Sequence, residues 1–583
     1  MEDSMKFLKL ILVLCVVSAI SGCIQPVNDR SNPGSQTSSS QIPHLEKQGT
    51  ATRLVIQGKP FLMISGELHN STCGGFESMK PVWKRMAQKN LNSVIASVSW
   101  ELIEPEEGKF DFALVDSLIA GARKENLKVA LIWFASWKNA SSVYMPSWVK
   151  KDYQKFPRVK DEEGKSLEIL STFSDAAAMA DASAFVALMR HIKEVDAEQQ
   201  TVVMMQVENE MGILDNLGRA PYGKETSKNP GNARRDFSDA ANAAYQAPVP
   251  KKLMDYLVQH KENLYPELYK VWKANDFRTS GSWEEVFGKS KLYRETKDWK
   301  LFSYYTEELF SAWNYALYTE KVTAAGKKEY PIPMYVNAWL KQPFSYWPGR
   351  YPSGGPLPQV LDIWQAAAPS IDFLAPDIYL DEFEWISREY ARSGNPIFIP
   401  ETRGGKVGAA RAFYAFGEFD AGCFAPFGID DSRFAKNDPL DESYAVLQNM
   451  SSFILQNQGK GTMRGILVDS ISPVMKFELG NYKIEARLGG RVKPDIAGGL
   501  IIQLNPDEFI IAGQALDVFF FPKDESVHGA INTVDEGIFR DGEWISEKRL
   551  NGDETHASTS SGTGVKLPSQ KVSIQKISLY SFK

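Results

Sequence analysis

Two glutamates stand where apolar runs of the chain end. The apolar run 202–207 leads directly into Glu208, Asn209 and Glu210, and the run NPIFIPE ends in Glu401. Such runs, bounded by turn residues, are typical of strands buried on both faces in a parallel sheet. Polar groups at such ends are costly to bury without a partner or a function. A proton donor and a nucleophile on two strands can cleave a glycosidic bond with retention, so we predict Glu210 and Glu401 as a catalytic pair.

Strands and helices alternate along the part of the chain that must position these glutamates. The apolar runs predict strands at 60–66, 92–100, 128–134, 202–207, 334–339, 373–379, 395–401 and 421–427. Helical spacing predicts helices near 79–90, 114–125, 176–195, 253–274, 297–325, 357–367, 383–393, 411–417 and 443–456. This alternation indicates a parallel α/β sheet, and eight strands favour a closed (β/α)₈ TIM barrel over residues 52–460.

Two stretches depart from the alternation. The interval of about 211–330 separates the fourth and fifth strands, and we predict that it forms a wall of the substrate pocket because loops this long are usually functional or disordered. Residues 461–583 contain short alternating runs separated by turn residues. This pattern predicts a C-terminal all-β domain, a β-sandwich accessory to the barrel.

Charge and cysteine content limit the partners and cofactors. The formal net charge of −6 over 583 residues is too small to indicate nucleic acid as a partner. The four cysteines are Cys15, Cys23, Cys73 and Cys423, and no spacing among them resembles a metal site. We therefore predict no metal and no cofactor, and we do not predict a disulfide between Cys73 and Cys423. The oligomeric state stays open.

The first 23 residues have the layout of a secretory signal. Lys6 and Lys9 precede the apolar run 10–17, and small residues then lead to Cys23. The sequence ISGC resembles the bacterial lipoprotein box, which implies lipidation of Cys23. The polar stretch 24–51 predicts a flexible tether. We expect the folded body to be exported and held by lipid at a membrane surface of the cell envelope.

The QVENE run resembles the strand-four motif of glycoside hydrolase family 35, the retaining β-galactosidases of the clan with an Asn-Glu pair. The resemblance implies that Glu210 is the acid/base, that Asn209 binds the sugar 2-hydroxyl and that Glu401 is the nucleophile. The segments SGELH, with Glu67, and WELIEP, which starts at Trp100, are similar to the family's first- and second-strand segments. A divergent bacterial lipoprotein subgroup with its own C-terminal β domain is implied. Its expected activity is removal of terminal β-D-galactosyl residues from plant-type oligo- or polysaccharides, such as a galactosylated hemicellulose side chain.

Further strand-end residues are predicted to bind the substrate. These are Asn209, Tyr379, Trp339, Trp137, Trp100, Glu67 and Asn337. Tyr379 either hydrogen-bonds Glu401 and keeps it ionised or packs in the core, and each tryptophan either stacks on a sugar or packs in the barrel. Glu208 would point to the same side as Glu210 in a regular strand. For Glu208 we favour a role as the buried partner of a cation on a neighbouring strand over a substrate contact.

Three positions depart from the family pattern. Asn70 stands in place of an aromatic residue, and Glu101 stands in place of an asparagine. Ser136 occupies the position of a carboxylate that binds galactose hydroxyls in the family. Two alternatives therefore stay open: a β-glycosidase of the same barrel type for glucosides or mannosides, and a non-catalytic glycan-binding surface lipoprotein.

Overall fold

The computed structural model describes residues 42–139, 141–214, 233–290, 305–342, 348–431, 438–490, 494–540, 542–559 and 562–583. Its strands, in chain order, are β1 His44–Gln48, β2 Ala51–Ile56, β3 Lys59–Phe61, β4 Met63–Ile64, β5 Ser93–Ser99, β6 Lys128–Lys138, β7 Arg158–Lys160, β8 Ser166–Leu170, β9 Val202–Asn209, β10 Met334–Trp339, β11 Phe373–Ile378, β12 Ile399–Thr402, β13 Cys423–Pro426, β14 Met463–Asp469, β15 Val474–Leu479, β16 Tyr482–Leu488, β17 Ile496–Asn505, β18 Glu508–Gly513, β19 Leu516–Pro522, β20 His528–Arg540, β21 Glu543–Arg549, β22 Thr555–Thr559, β23 Gly562–Leu567 and β24 Ser573–Phe582.

Its α-helices are α1 Phe76–Met79, α2 Val82–Gln88, α3 Trp100–Ile103, α4 Ala113–Lys124, α5 Ser147–Lys151, α6 Asp175–Asp196, α7 Asp239–Gln246, α8 Lys251–Gln259, α9 Pro266–Lys273, α10 Trp283–Phe287, α11 Tyr305–Glu329, α12 Leu361–Ala367, α13 Phe383–Tyr390, α14 Gly405–Glu418 and α15 Pro439–Asn457. Within the described ranges, no helix combines the length and the hydropathy that crossing a membrane requires. The predicted signal segment and Cys23 lie outside the described residues.

Eight strands form a parallel barrel in the order β4-β13-β12-β11-β10-β9-β6-β5. The first and last strands of this order are joined at Glu67, which forms isolated bridges with both Ile95 and Phe427. The Glu67 N–H donates to the Pro426 carbonyl over 2.9 Å, and the Leu68 N–H donates to the Ile95 carbonyl over 2.9 Å. The predicted (β/α)₈ barrel is confirmed, and Glu67 lies at its seam.

Apolar side chains fill the barrel interior, as the continuous apolar runs predict. They are Met63, Ile95, Ala130, Ile132, Phe134, Val203, Met204, Tyr335, Phe373, Ala375, Phe398, Cys423 and Ala425. Leu54 and Ile56 of β2 pack into the same cluster, so the antiparallel sheet β1-β2-β3 lies against the barrel interior. Cys73 and Cys423 are both buried free thiols.

Two predicted boundaries at the start of the body are wrong. Residues 44–48, assigned to the flexible tether, form β1 and pair with β2 along their whole length. An edge strand is stabilised by main-chain pairing more than by apolar side chains, so the polar sequence HLEKQ gave no indication of a strand. The apolar run 60–66 does not form a single strand. Its first part lies in β3, which pairs with β2, and its second part contains β4, which pairs with β13 in the barrel.

Helices lie outside the barrel, and the predicted interval between the fourth and fifth strands contains several of them. Its described part holds α7 to α11, and α11 packs against α6. The single helix predicted at 253–274 is two helices, α8 and α9, because Pro266 occupies the first turn of α9 and cannot continue the preceding helix. The long excursion is therefore largely helical in its described part.

The residues after α15 form two antiparallel sheets with a shared core. The sheet orders are β14-β17-β18-β24-β20-β21 and β15-β16-β19-β23-β22. Buried side chains between them include Ile466, Ile484, Ile501, Phe509, Ile511, Val518, Phe520 and Ile577. No helix occurs in the described residues beyond Asn457. The predicted C-terminal β-sandwich is confirmed.

The sandwich contacts the barrel through α14, the helix that follows the strand of Glu401. This helix packs against β14 and β17. A Cβ atom on Gly465 would lie 2.6 Å from the Tyr414 carbonyl oxygen, and one on Gly498 would lie 2.3 Å from the Ala410 carbonyl oxygen. The two domains therefore meet backbone to backbone, and glycine is required at this contact.

We predict that Gly465→Ala lowers the free energy of unfolding by about 1–3 kcal/mol, because the added methyl enters a backbone contact that cannot give way locally. Scanning calorimetry measures this change. Gly552→Ala is the control, since its Cβ would meet no atom within 4 Å, and it should change stability by less than about 0.5 kcal/mol. Equal transition temperatures for the two variants would contradict the close packing of α14 on the sandwich.

Candidate active site

Four carboxyl groups converge at the C-terminal ends of the barrel strands. Glu67 follows β4, Glu210 follows β9, Asp377 lies in β11 and Glu401 lies in β12. Their exposed fractions are 2%, 3%, 1% and 8% in that order. One carboxyl oxygen from each of Glu210, Asp377 and Glu401 lies within 4.8 Å of the other two. The fold therefore brings the two predicted catalytic glutamates together, and it adds two further acids.

The charge of this cluster shifts the protonation of Glu401. The pKa of Glu401 is raised to about 7, first by burial and second by the negative charge of Glu210. The ammonium of Lys138 and hydrogen bonds from Tyr379 and Glu67 act in the opposite direction. Glu401 therefore exchanges its proton near neutral pH, and the donors around it favour the ionised form.

Two of those donors hold the carboxylate of Glu401 directly. The Tyr379 hydroxyl donates to Oε1 of Glu401, which is the first of the two alternatives left open for Tyr379. Burial, followed by the charge of Glu401, raises the pKa of Glu67 well above its ordinary value. Glu67 in its protonated form donates a hydrogen bond to Glu401. A carboxylate that accepts two hydrogen bonds keeps its charge and a fixed orientation.

Asn337 connects the end of β9 to β11. Its Oδ1 accepts hydrogen bonds from the Glu210 backbone N–H over 3.2 Å and from Nδ2 of Asn209 over 3.3 Å. Its Nδ2 donates to Oδ2 of Asp377 over 2.9 Å. Asn337 and Asn209, both predicted to bind substrate, therefore lie at the site and also fix the backbone that carries Glu210.

Asp377 is a site residue that we did not predict. Burial raises its pKa well above the ordinary value, and the charges of Glu401 and Glu210 raise it further. Asp377 in its protonated form donates to the Glu210 side chain. The signal for it was present in the sequence: Asp377 stands two positions before Tyr379, and residues two apart point to the same side of a strand.

Lys138 supplies positive charge to the cluster. Its Nζ lies 3.7 Å from Oε2 of Glu210 and 5.1 Å from the centre of the Phe134 ring. Carboxyl oxygens at the spacing of Glu210, Asp377 and Glu401 could also surround a metal ion. Because Lys138 and the protons on Asp377 and Glu67 already compensate the negative charge, we assign no metal to this cluster.

The three predicted tryptophans differ in their surroundings. Trp100 is fully buried, donates to Glu104 over 2.8 Å and packs edge-on against Trp148. Trp137 is 1% exposed and is surrounded by tyrosine rings. Trp339 is partly exposed at the end of β10. Trp339 is therefore the member of this group that is not fully buried.

The positions that depart from the family pattern have partners away from the carboxyl cluster. Ser136 hydrogen-bonds Asp181 and lies 2.8 Å from the Tyr318 hydroxyl. Glu101 forms an ion pair with Lys150 at 3.0 Å. The Asn70 carbonyl accepts from the Ser97 hydroxyl. Position 136 therefore provides no carboxylate to the cluster, because its serine hydroxyl lies against Asp181 and Tyr318.

Glu208 does not share a side of the strand with Glu210. Its φ of 62° and the φ of 50° at Glu210 end the regular alternation of β9. The Glu208 carboxyl accepts from the Trp137 N–H over 2.8 Å and contacts Asp181 behind the barrel wall. The buried structural role is therefore observed, but the predicted cation partner is wrong: the partners of Glu208 are a backbone N–H of β6 and the carboxyl of Asp181.

The geometry suits direct attack by one carboxylate while a second delivers a proton. Glu401 is the better nucleophile, because its two donors stabilise negative charge on it. Glu210 is left as the acid/base, and Lys138 and Asp377 beside it stabilise its ionised form, in which a carboxylate acts as a base.

Comparison with known sequence families covers two parts of the chain. Residues 75–226 match the glycoside hydrolase 42 family, described as Beta-galactosidase. Residues 440–561 match the family described as Domain of unknown function, DUF5597. The first of these segments contains Asn209 and Glu210. This segment of the chain, residues 75–226, is therefore similar to a family described as Beta-galactosidase.

Individual relatives match over short lengths or at low similarity. A β-galactosidase of Xanthomonas manihotis is 34% identical over 86 residues, which is 14% of this chain and 13% of that protein. The β-galactosidase of Bacillus circulans sp. alkalophilus aligns with TM-score 0.42 and 15% identity, over 68% of this chain and 57% of its own. The catalytic domain of β-amylase from Paenibacillus polymyxa aligns with TM-score 0.43 and 12% identity, over 65% and 94%.

We predict that Glu401→Gln becomes more stable relative to the wild type as the pH rises. A carboxyl whose pKa is raised from 4.5 to about 7 in the folded state stabilises the fold fully below about pH 4.5, and this stability is lost as the pH rises through about 7. Glutamine removes that loss, which amounts to about 3 kcal/mol between about pH 4.5 and pH 8.

Thermal unfolding of both proteins at about pH 5 and about pH 8 measures this difference. The exposed Glu106 provides the control, because Glu106→Gln should differ from the wild type by the same amount at both pH values. A Glu401→Gln variant whose advantage does not grow with pH would show that Glu401 is not held at a raised pKa.

Proposed function

We propose that this protein is a retaining β-galactosidase that removes terminal β-D-galactosyl residues from plant-type oligosaccharides or polysaccharides. The observation that carries the proposal is the approach of Glu210 and Glu401 oxygens to within 4.8 Å at the ends of β9 and β12. Carboxyl groups about 5–5.5 Å apart are typical of retaining enzymes, whereas inverting enzymes leave about 6.5–9.5 Å for a water molecule. The family match over residues 75–226 supports the same activity.

In the first step, an oxygen of ionised Glu401 attacks the anomeric carbon and forms an ester with it. The bond from that carbon to the leaving oxygen breaks, and its electron pair takes the proton of Glu210. The hydrogen bonds from Tyr379 and Glu67 keep Glu401 ionised and aimed before the attack. Asn209, held by Asn337, is placed to bind the sugar 2-hydroxyl.

In the second step, water attacks the anomeric carbon and gives a proton to Glu210, and the ester bond breaks to restore the Glu401 carboxylate. Glu210 must carry a negative charge at the start of this step. The Lys138 ammonium at 3.7 Å and the hydrogen bond from Asp377 both stabilise that charge. The charge on Glu401 is absent while the ester exists, so the two carboxylates do not repel each other.

Family 35 is the finer assignment within this proposal, supported by the motifs around Glu67, Trp100 and Glu210. The family matched by residues 75–226 is family 42, another member of the same clan. The second candidate is a β-glycosidase of the same mechanism for glucosides or mannosides. This candidate is favoured because position 136 holds a serine, hydrogen-bonded to Asp181, where family 35 has the carboxylate that binds galactose hydroxyls.

We also propose that the enzyme works outside the cytoplasm, anchored in the cell envelope by lipid on Cys23. The signal-like layout of residues 1–23 supports this location. A galactosylated hemicellulose side chain is the substrate that we propose for it there.

The direct test is the initial rate on 4-nitrophenyl β-D-galactoside beside the glucoside, mannoside, xyloside and arabinoside. The galactoside should be turned over fastest, and Glu401→Gln should lower kcat by at least about 1,000-fold because the nucleophile is lost. The exposed Glu106 again gives the matched control, and Glu106→Gln should keep the wild-type rate. A faster rate on another sugar would favour the second candidate, and wild-type rates in Glu401→Gln would contradict the mechanism.

We predict that Tyr379→Phe moves the acidic limb of the kcat/KM profile to higher pH by about one unit. The Tyr379 hydrogen bond lowers the pKa of Glu401, and Glu401 must be ionised to attack, so losing the bond extends the inactive range upward. Rates from about pH 4 to about pH 9 measure the limb. Tyr153→Phe, at a tyrosine that is 68% exposed, should leave the profile unchanged. An unshifted limb in Tyr379→Phe would mean that this bond does not control the ionisation of Glu401.

A further inference from the structure

Two neighbouring barrel strands lose their common register just before the site. Trp133 pairs with Val207, but the next pair is Lys138 with Asn209, so four residues of β6 face one residue of β9. The segment 134–137 therefore arches away from the ladder. An arch of this kind leaves backbone N–H groups without strand partners, and buried N–H groups need acceptors.

Glu208, the one residue of β9 opposite the arch, supplies these acceptors. Its carboxyl accepts from the Trp137 N–H over 2.8 Å and from the Ser136 backbone. Beyond the arch, the Asn139 N–H donates to the Asn209 carbonyl over 3.2 Å, so the ladder resumes at the site itself. The Glu208 side chain thus sets where Lys138 and Asn209 stand beside Glu210.

Glu208 is in turn held by Asp181 of α6. Both side chains are 0% exposed, and the protonated Glu208 carboxyl donates to the Asp181 carboxylate. Asp181 also accepts from Nε1 of Trp133 over 2.8 Å and from the Ser136 hydroxyl. One proton therefore joins two buried carboxyls, because two negative charges at this distance without water would repel strongly.

The backbone at this point is strained. Glu208 has φ of 62° and Glu210 has φ of 50°, a region that non-glycine residues rarely adopt. Such a backbone conformation is unfavourable and persists only where the surroundings hold it. The contacts of Glu208 with β6 and α6 hold this backbone together with the hydrogen bond from the Glu210 N–H to Asn337.

We propose that Asp181 and Glu208, sharing one buried proton, form a positioning pair that holds the strained end of β9 and so aims Glu210 and Lys138 at the substrate. This inference rests on the proposed glycosidase function. Neither residue touches the substrate. Their effect on the reaction passes through the arch of β6 and the backbone of residues 208–210.

The proton of this pair makes the position of Glu210 sensitive to alkaline pH. The groups that face the pair are Tyr318 of α11, which hydrogen-bonds Asp181, and Glu104, whose pKa the charge of Asp181 helps to raise. Burial is the largest cause of the raised pKa of Glu208. When the proton leaves, two negative charges remain behind the barrel wall, and the end of β9 can no longer be held in place.

The experiment compares Glu208→Gln and Glu208→Ala on phenyl β-D-galactoside, whose poor leaving group needs the proton of Glu210 to depart. Glutamine can accept from the arch and donate to Asp181 without a titratable proton. Glu208→Gln should keep kcat within about threefold of the wild type and stay active to higher pH, while Glu208→Ala should lose about 100-fold in kcat with little change in KM. Asp181→Asn, which also removes the need for the shared proton, should behave like Glu208→Gln.

A wild-type kcat in Glu208→Ala would overturn the proposal, as would an unchanged alkaline limb in both Glu208→Gln and Asp181→Asn. Thermal unfolding tests the shared proton without turnover, since Glu208→Gln should gain stability relative to the wild type as the pH rises. A constant difference across pH would overturn the proton sharing. Failure of the proposed function is separate, because then the wild type and Glu401→Gln would show the same rate.

Discussion

The burial of several carboxyl groups in one small space is the constraint on which the rest of the site depends. Each ionised carboxylate removed from water loses a large hydration energy, and its neighbours add repulsion. The chain meets this constraint with protons on Glu67 and Asp377, the Lys138 ammonium and the Tyr379 hydroxyl. The same groups stabilise the ionised forms of both carboxyls, with Tyr379 and Glu67 at Glu401 and Lys138 and Asp377 at Glu210.

The barrel is specialised at two points of its wall, and both carry site residues. At the seam, Glu67 completes the ladder with its backbone while its side chain donates to Glu401. Between β6 and β9, the arch replaces ladder hydrogen bonds with contacts to Glu208. At this second point, the backbone of Glu208 and Glu210 has positive φ angles. Strain concentrated beside a reactive group, and held by surrounding contacts, is common where a protein fixes a geometry for chemistry.

The C-terminal sandwich contributes to this rigidity from outside. Its strands β14 and β17 contact α14, which begins three residues after Thr402 at the end of β12. Glycines at this contact let the backbones approach closely, and Leu500 and Ile502 of the sandwich share a buried apolar core with Phe413 of α14. The strand that carries Glu401 is thus supported by the barrel on one side and, through its following helix, by a second domain.

The sequence by itself determined the architecture and the two principal carboxylates. Buried parallel strands leave continuous apolar runs, and their C-terminal ends meet at one face of a barrel, so Glu210 and Glu401 could be assigned before any coordinates. The same placement allowed a bond from Tyr379 to Glu401 as one of two alternatives, and the structure shows that bond. Alternation with period two and helical spacing depend on residues close together in sequence, so the strands and helices could be predicted from the sequence.

Only the tertiary structure decided the contacts that depend on register between strands. The arch at 134–137 turns Ser136 toward Asp181 and sends Glu208 to the side opposite Glu210, and no local pattern records a shift of this kind. The strand at residues 44–48 was hidden for a related reason, because its stability comes from main-chain pairing with β2 rather than from its own side chains. Hydrogen bonds across strands join residues far apart in sequence, so their geometry exists only once the chain has folded.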